Sequence, residues 1–277
     1  MAASLLHDSW PPPTPLADVV YPESDGKPMA ETDVHALCII DVRTMLTTHF
    51  ATDSEVYVSG NIFLYYEEGN PRETVAPDVL VVRGVKKGLR RTYKLWEEGV
   101  PPAFVLEVSS PSTRWEDLAT KRGLYELLGV QEYILFDPLR EYLKPALQGF
   151  RLEEGSYRPI PTNTLPDDGA NGVDETSKAG ETGNDLALWN ETLGLELHTA
   201  GNRLRLFDRQ RRHYLRTSSE EAEARRTAEV NAQQAEGRAQ QAEGRAQQEA
   251  AARAALETEI AALRAELARR SASPGSA

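Results

Sequence analysis

Ala103-Phe104-Val105-Leu106-Glu107-Val108-Ser109 and, further on, Glu132-Tyr133-Ile134-Leu135-Phe136 are the two stretches that decide how this chain folds. Each is a short apolar run bounded by Pro, Gly or Asp, which is the pattern of a buried strand. Between them, residues 113–128 carry the spacing of a helix. A strand, a helix and a second strand make a crossover that returns the chain to its starting end, so the two strands should pair in parallel. Upstream, the spacing of Val34, Leu37, Cys38, Met45 and Leu46 predicts a helix from near residue 30 to about Phe50. It is followed by a β-rich stretch, Glu55 to Tyr66, with Ser59-Gly60-Asn61 as a turn or bulge, and by a third strand, Pro77 to Val82. The order is α-β-β-β-α-β, a mixed α/β core. Leu193 to Leu197 and Arg203 to Phe207 are expected to be strands that return to the same sheet.

The flanks differ in composition. Residues 1–28 are proline-rich (Trp10-Pro11-Pro12-Pro13-Thr14-Pro15) and should form an extended or disordered arm before a domain over 29–216. Inside that domain, 161–186 is rich in Gly, Asp, Thr and Asn, and reads as a flexible insertion that buries too little to offset its ordering entropy. Residues 217–271 form a single helical stretch, and 272–277 a disordered tail. In the helix a seven-residue unit repeats, Ala232-Gln-Gln-Ala-Glu-Gly-Arg238 and then Ala239 to Arg245. With Ala232 at position a, that row continues through Ala239, Ala246, Arg253, Ile260 and Leu267. The d row is Ala235, Ala242, Glu249, Leu256 and Leu263. This is a coiled-coil seam, thin where it is alanine and firm from Leu256 onward. It suits an oligomerisation or docking helix, or else a long solvated one.

Composition bounds the rest. A chain of 277 residues holds one core of moderate size plus appendages. Its 40% hydrophobic content is below the roughly 45–50% of an average globular chain, so part of it should lie outside any core. A net charge of −12 argues against a protein coated in positive potential, though not against a local basic groove. The single cysteine, Cys38, excludes an internal disulfide framework and a Cys-based zinc site. No apolar run approaches a membrane span, and the N-terminus has no secretory pattern, so a cytoplasmic protein without a membrane partner is expected.

Three charged positions are unusual. Asp78 stands at the mouth of an otherwise apolar strand. Glu107 lies inside another, on the face shared by Val105 and Ser109. A buried lone carboxylate costs several kcal/mol unless a cation meets it; the alternative is an edge-strand glutamate facing solvent. In the following helix, which Thr113 and Glu116 open as a capping box, Asp117, Leu118, Lys121, Leu124, Tyr125 and Leu128 share one arc while Arg122 points away. Lys121 either reaches over the sheet end towards Glu107 and Asp78 or pairs with Asp117 one turn back. Two carboxylates and a lysine at a sheet end suit a hard cation such as Mg²⁺ (or Mn²⁺) and a phosphodiester substrate. A glycosidase would also use paired carboxylates, but would leave the lysine unexplained. Arg83, Lys86, Lys87, Arg90, Arg91 and Lys94, with Tyr93 and Trp96 interleaved, follow the Asp78 strand without an intervening acid and suit a DNA backbone. The five histidines show no metal-ligand spacing, and His35 and His49 read as core or surface residues.

Pro77-Asp78, the run from Glu107 to Ser112, Asp117 with Lys121 and Tyr125, and Gly129 to Tyr133 ending at Asp137-Pro138 together resemble the Uma-two family of bacterial restriction-endonuclease-like proteins, within the PD-(D/E)XK nuclease superfamily. The resemblance spans roughly Glu31 to Asp208. It implies a metal-dependent endonuclease acting on DNA, with the cation held by Asp78, Glu107 and the carbonyl of Val108. Lys121 would serve as the catalytic ammonium, because Ser109 stands where the lysine two residues after the glutamate would be. Ser109, Asp117 and Tyr125 would support these groups, and Glu31 and Asp41 are candidates for a further acid from the first helix. A homodimer through the nuclease domain or the coiled coil is expected. The rival expectation is an inactive nuclease-like scaffold that binds DNA or other proteins through its tail.

Overall fold

The computed structural model describes residues 19–24, 26, 32–110, 116–165 and 185–271, with the side chains of Glu116, Asp117, Arg270 and Ser271 excepted. The proline-rich stretch, Glu31, the Thr113–Glu116 capping box, the side chain of Asp117, most of the 161–186 insertion and the 272–277 tail therefore lie outside the described residues. The chain divides into two compact units, Met1–Ser218 and Ser219–Ala277.

In the first unit, α1 (Asp33–His49) starts where Thr32 Oγ1 accepts the His35 N–H at 3.3 Å, an ordinary N-cap. Its face of Cys38, Ile39, Val42, Met45 and Leu46 is buried, in steps of three and four residues. There follow β1 (Val56–Ser59), β2 (Leu64–Tyr65), β3 (Thr74–Val75), β4 (Val79–Arg83), β5 (Tyr93–Lys94), the single turn α2 (Leu95–Glu98) and β6 (Phe104–Val108). The helix predicted over 113–128 is described from a π-helical segment, Glu116–Lys121, which runs into α3 (Arg122–Leu128). After it come β7 (Glu132–Phe136), β8 (Leu147–Glu153), β9 (Ser156–Ile160), β10 (Thr162–Thr164), β11 (Leu186–Asn190), β12 (Leu195–Ala200), β13 (Arg203–Asp208) and β14 (His213–Tyr214).

The central sheet has the order β1-β4-β6-β7-β8-β9. β4 is antiparallel to β1 and β6, and β6 is parallel to β7, so α1, β1, β4, β6, α3 and β7 realise the α-β-β-β-α-β order. Alternation sets the two faces. Val79, Val81, Phe104, Leu106, Val108, Ile134 and Phe136 pack with α1 and with Leu188, Leu195, Leu197, Leu204 and Leu206. Leu80, Val82, Val105, Tyr133 and Leu135 pack on the other side with Tyr125, Leu64 and Tyr93. Each fully buried Leu, Ile or Phe on these faces contributes about 1.5–3 kcal/mol.

β12 and β13 do not return to the central sheet as expected. They pair with β10, β11 and β14 in a separate five-stranded antiparallel sheet that covers the α1 face. The reason is local: β12 and β13 are joined by a tight turn at Gly201, and their leucines alternate onto one side, which makes a hairpin with its own buried face. β10 forms inside the stretch read as a flexible insertion, because Thr162–Thr164 pairs with Leu186–Leu188.

The long helix α4 (Ser218–Ser271), which belongs to the second unit from Ser219 onward, has no buried side chain among its described residues. No helix among the described residues is long and apolar enough to cross a membrane.

Candidate active site

Register brings the two acids together. β4 and β6 pair Val79 with Leu106, so extending the ladder by one residue sets Asp78 opposite Glu107. Both then lie on the face that α3 covers. Asp78 Oδ2 accepts the Val108 N–H at 2.8 Å, which holds that carboxylate against the end of β6. Gly60 makes the approach feasible. A Cβ there would sit 2.1 Å from the Asp78 carbonyl oxygen, and the neighbouring Asn61 N–H donates to Pro77 O at 2.8 Å. Gly60→Ala is expected to push the Asp78 backbone away, lowering stability by about 2 kcal/mol in a urea titration and reducing any activity that depends on Asp78.

Glu107 is 1% exposed, and both of its oxygens are held. Lys121 Nζ donates to Oε2 at 2.9 Å and the Tyr125 hydroxyl donates to Oε1 at 2.6 Å. The two donors lie four residues apart, at the end of the π-helical segment and one turn into α3, and so share one helix face. π-Helical turns in helices are frequent at functional sites. Burial, and then the Glu107 charge, push the Tyr125 phenol well above its ordinary range. It therefore stays protonated and donates to Glu107. Arg122, which the helical phase sets outward, lies over the Phe150 ring at 4.0 Å.

Sequence reasoning missed His35. Its Nε2 lies 2.6 Å from the Val108 carbonyl oxygen and 3.8 Å from Asp78 Oδ2, with the side chain 12% exposed. A carbonyl oxygen only accepts, so Nε2 is the protonated nitrogen in this arrangement. The signal was present in the helical phase: His35 precedes Cys38 and Ile39 by three and four residues and continues the buried stripe of α1 to its first turn. A search for histidines spaced as ligand pairs does not find a histidine whose partners come from two strands.

The other predicted residues divide. Ser109 is buried, and its N–H extends the parallel ladder to Phe136 O at 2.8 Å. Asp41 is buried but accepts from the Ser218 N–H at 3.0 Å and hydroxyl at 2.6 Å, so it ties α1 to the last residue of this unit. The basic segment adjoins Asp78 in sequence, but β4 carries its first residue, Arg83, roughly 17 Å away, to the other end of the sheet. Several of its charges meet protein acceptors. Arg90 makes a bidentate pair with Glu98 at 2.6 and 3.0 Å, Lys94 meets Glu97 at 2.9 Å, and Arg91 meets Glu23. Lys87 donates to Phe50 O and Ala51 O, and Arg83 to Thr192 O at 3.0 Å, whereas Lys86 is exposed. A cavity of about 580 Å³ at that end is lined by Arg83, Glu132, Arg151 and Thr192, and neither Asp78 nor Glu107 lines it.

Among the described residues no three His, Cys, Asp or Glu side chains form a ready cation cage. The possible cation ligands that lie together are the Asp78 carboxylate, the Val108 carbonyl and His35 Nε2, with Glu107 across the ladder from Asp78. This composition fits Mg²⁺ or Mn²⁺, which take one or two carboxylates and complete their shell with water. Each Glu107 oxygen has a second lone pair beyond the one its hydrogen bond uses.

The α-β-β-β-α-β core thus sets an acid before β4 and an acid on β6 opposite each other in one ladder at a sheet end. The chain belongs to the Uma2 family, whose model, described as "Putative restriction endonuclease", matches residues 15–172. Among solved structures it is similar to a "putative nuclease belonging to DUF820" from Anabaena variabilis ATCC 29413, at 13% identity and a TM-score of 0.37. That match covers 50% of this chain and 74% of the other. No curated protein matches.

Proposed function

We propose that the first unit is a metal-dependent endonuclease that hydrolyses DNA phosphodiester bonds. The observation that carries this reading is the convergence of Asp78, Glu107 and Lys121, from β4, β6 and the helix between β6 and β7, at one end of the sheet. Asp78, Glu107 and the Val108 carbonyl would hold the cation. His35 would add a nitrogen donor once its proton moves to Nδ1, a ligand type that tilts the preference towards Mn²⁺ over Mg²⁺. A bound divalent cation supplies Lewis acidity towards water and the phosphoryl oxygens.

The chain's own groups do the rest. The Lys121 ammonium, a carrier of three N–H donors, suits an attacking water or a phosphate oxygen gaining charge. Tyr125 and Lys121 together fix the Glu107 carboxylate. The Val108 N–H fixes Asp78. In the reaction the water oxygen bonds to phosphorus, one phosphorus–sugar oxygen bond breaks, and the departing oxygen takes up a proton. Lys86 and the exposed edge of the basic segment would meet backbone phosphates elsewhere on the duplex.

Incubation of supercoiled plasmid and single-stranded DNA with Mg²⁺ or Mn²⁺ tests the reading. Metal-dependent cutting by the wild type, lost in Glu107→Gln and Asp78→Asn with DNA binding retained, is the expected outcome. Wild type that cuts no nucleic acid with either metal overturns it. The second reading, an inactive scaffold that binds through its surface, is favoured by the hydrogen bonds already made at both Glu107 oxygens and by the pairing of Arg90, Arg91 and Lys94 with acids.

A further inference from the structure

We infer that α4 is one half of a parallel, in-register coiled coil formed with a second copy of this chain. On its own the helix exposes a row of large apolar groups: Leu256 at 59%, Ile260 at 47%, Leu263 at 55% and Leu267 at 69%. They fall at alternating spacings of four, three and four residues, the a and d seam of a heptad. Isolated apolar side chains on a surface are normal, but four in one seam on a helix with no buried residue call for a partner of the same periodicity. A copy of the same helix supplies it.

Charge decides the orientation. In the heptad frame from Ala232 onward, the charged g residues are Arg238, Arg245, Glu259 and Glu266, and the charged e residues are Glu236, Glu243, Glu257 and Arg264. A parallel in-register pair sets each g residue against the e residue five positions later in the other chain. Arg238 then meets Glu243, and Glu259 meets Arg264, each twice by symmetry, with no like-charged pair among these positions. An antiparallel pair that overlays the same apolar cluster opposes g to g and e to e, and so sets Glu259 against Glu266 while Glu257 meets Arg264. One repulsive contact then offsets one attractive contact, where the parallel pair has only attractive ones at these flanking positions. The apolar cluster fixes the register, because a slip of one heptad would place Arg253 against Ile260 and Glu249 against Leu256. In register Glu249 and Arg253 each face their own copy, a like-charged layer that costs stability, which Arg253 lessens by pairing with Glu257 of its own helix at 3.4 Å. A polar group at an a position specifies alignment at some cost in stability. Ile at a with Leu at d, as at Ile260 and Leu263, favours two strands over three or four. Gly237 and Gly244 fall at the outward f position, where they weaken the helix but do not obstruct the seam. Pairing through α4 is independent of the chemistry of the first unit.

Light scattering on the full chain should give the mass of two copies, and Leu256→Glu with Leu263→Glu should give the mass of one. Orientation is read by Ala242→Cys at a d position, with the native Cys38 buried. In the parallel arrangement the two introduced thiols face each other and oxidise to an interchain disulfide, which the wild type does not form. In the antiparallel arrangement they lie at opposite ends of the overlap and do not cross-link. A wild-type monomer, a dimer that survives the double glutamate substitution, or a dimer in which Ala242→Cys forms no disulfide each overturns the inference.

Discussion

Lys121→Met is expected to abolish metal-dependent cleavage and to lower the unfolding free energy by about 3–5 kcal/mol, the usual consequence of removing one partner of a buried ion pair. Glu107 is 1% exposed and the Lys121 side chain 13%, so solvent replaces little of the lost attraction. A structural role and a chemical one make different predictions for the double variant. Lys121→Met combined with Glu107→Gln leaves no ion to compensate, because the neutral amide still accepts from the Tyr125 hydroxyl. Stability should therefore recover by most of the single-variant loss, while cleavage stays absent. Lys121→Arg keeps the charge but brings a wider planar head, and should restore stability more than rate. Denaturant titration gives one axis of this comparison and single-turnover cleavage the other. Cutting that survives in Lys121→Met would show the lysine to be only the counter-ion of Glu107.

Legibility in the chain depended on which interactions are local. The strand–helix–strand unit was legible because Phe104 to Val108 and Glu132 to Phe136 are apolar runs too short to be helices, and they form the parallel pair expected. Glu107 was legible because a carboxylate in such a run needs an explanation. Lys121 and Tyr125 were legible from helical phase, and both meet Glu107. Three things were not. The spacing of His35 relates it to its own helix, but its contacts come from β4 and β6, which no local pattern reports. The basic segment seemed close to Asp78 because it follows it in the chain, whereas a strand separates its two ends by its full length. The π-helical geometry of Glu116–Lys121 has no periodic signature of its own, since one wide turn only shifts the helical phase of the residues after it.

Glu132 sharpens the lesson about buried acids, and Glu132→Ala is expected to be as destabilising as any substitution at the candidate site, by about 3–5 kcal/mol. It too is a glutamate in an apolar strand, and it is 0% exposed. Its donors close around it. Arg151 Nε approaches Oε1 at 2.9 Å, the Thr192 N–H and hydroxyl approach Oε2 at 2.9 and 2.7 Å, and the Glu191 N–H approaches Oε1 at 3.2 Å. These contacts pin the first residue of β7 to β8 and to the turn between β11 and β12, so the central sheet and the five-stranded sheet are clamped through one carboxylate. Gln in its place would turn an N–H₂ towards backbone N–H or guanidinium groups that only donate, with only the Thr192 hydroxyl able to accept from it, and should cost a large part of the Ala loss. Glu132 lies about 10 Å from the level of Glu107 along the strands and on the opposite face of the sheet, beside Ile134 and Phe136. Cleavage per folded molecule should therefore be unchanged in Glu132→Gln while the urea midpoint falls. At Glu107→Gln both should fall, cleavage because a site carboxylate is gone and the midpoint because the largely buried Lys121 loses its charged partner. A Glu132→Gln variant that keeps its midpoint would mean the clamp adds nothing to the packing of the two sheets. One that stays folded but loses cleavage would mean the two ends of the sheet are coupled. The difference between the two glutamates lies in their neighbours: one is enclosed by donors that only hold it, and the other meets its lysine beside a second carboxylate at the sheet end.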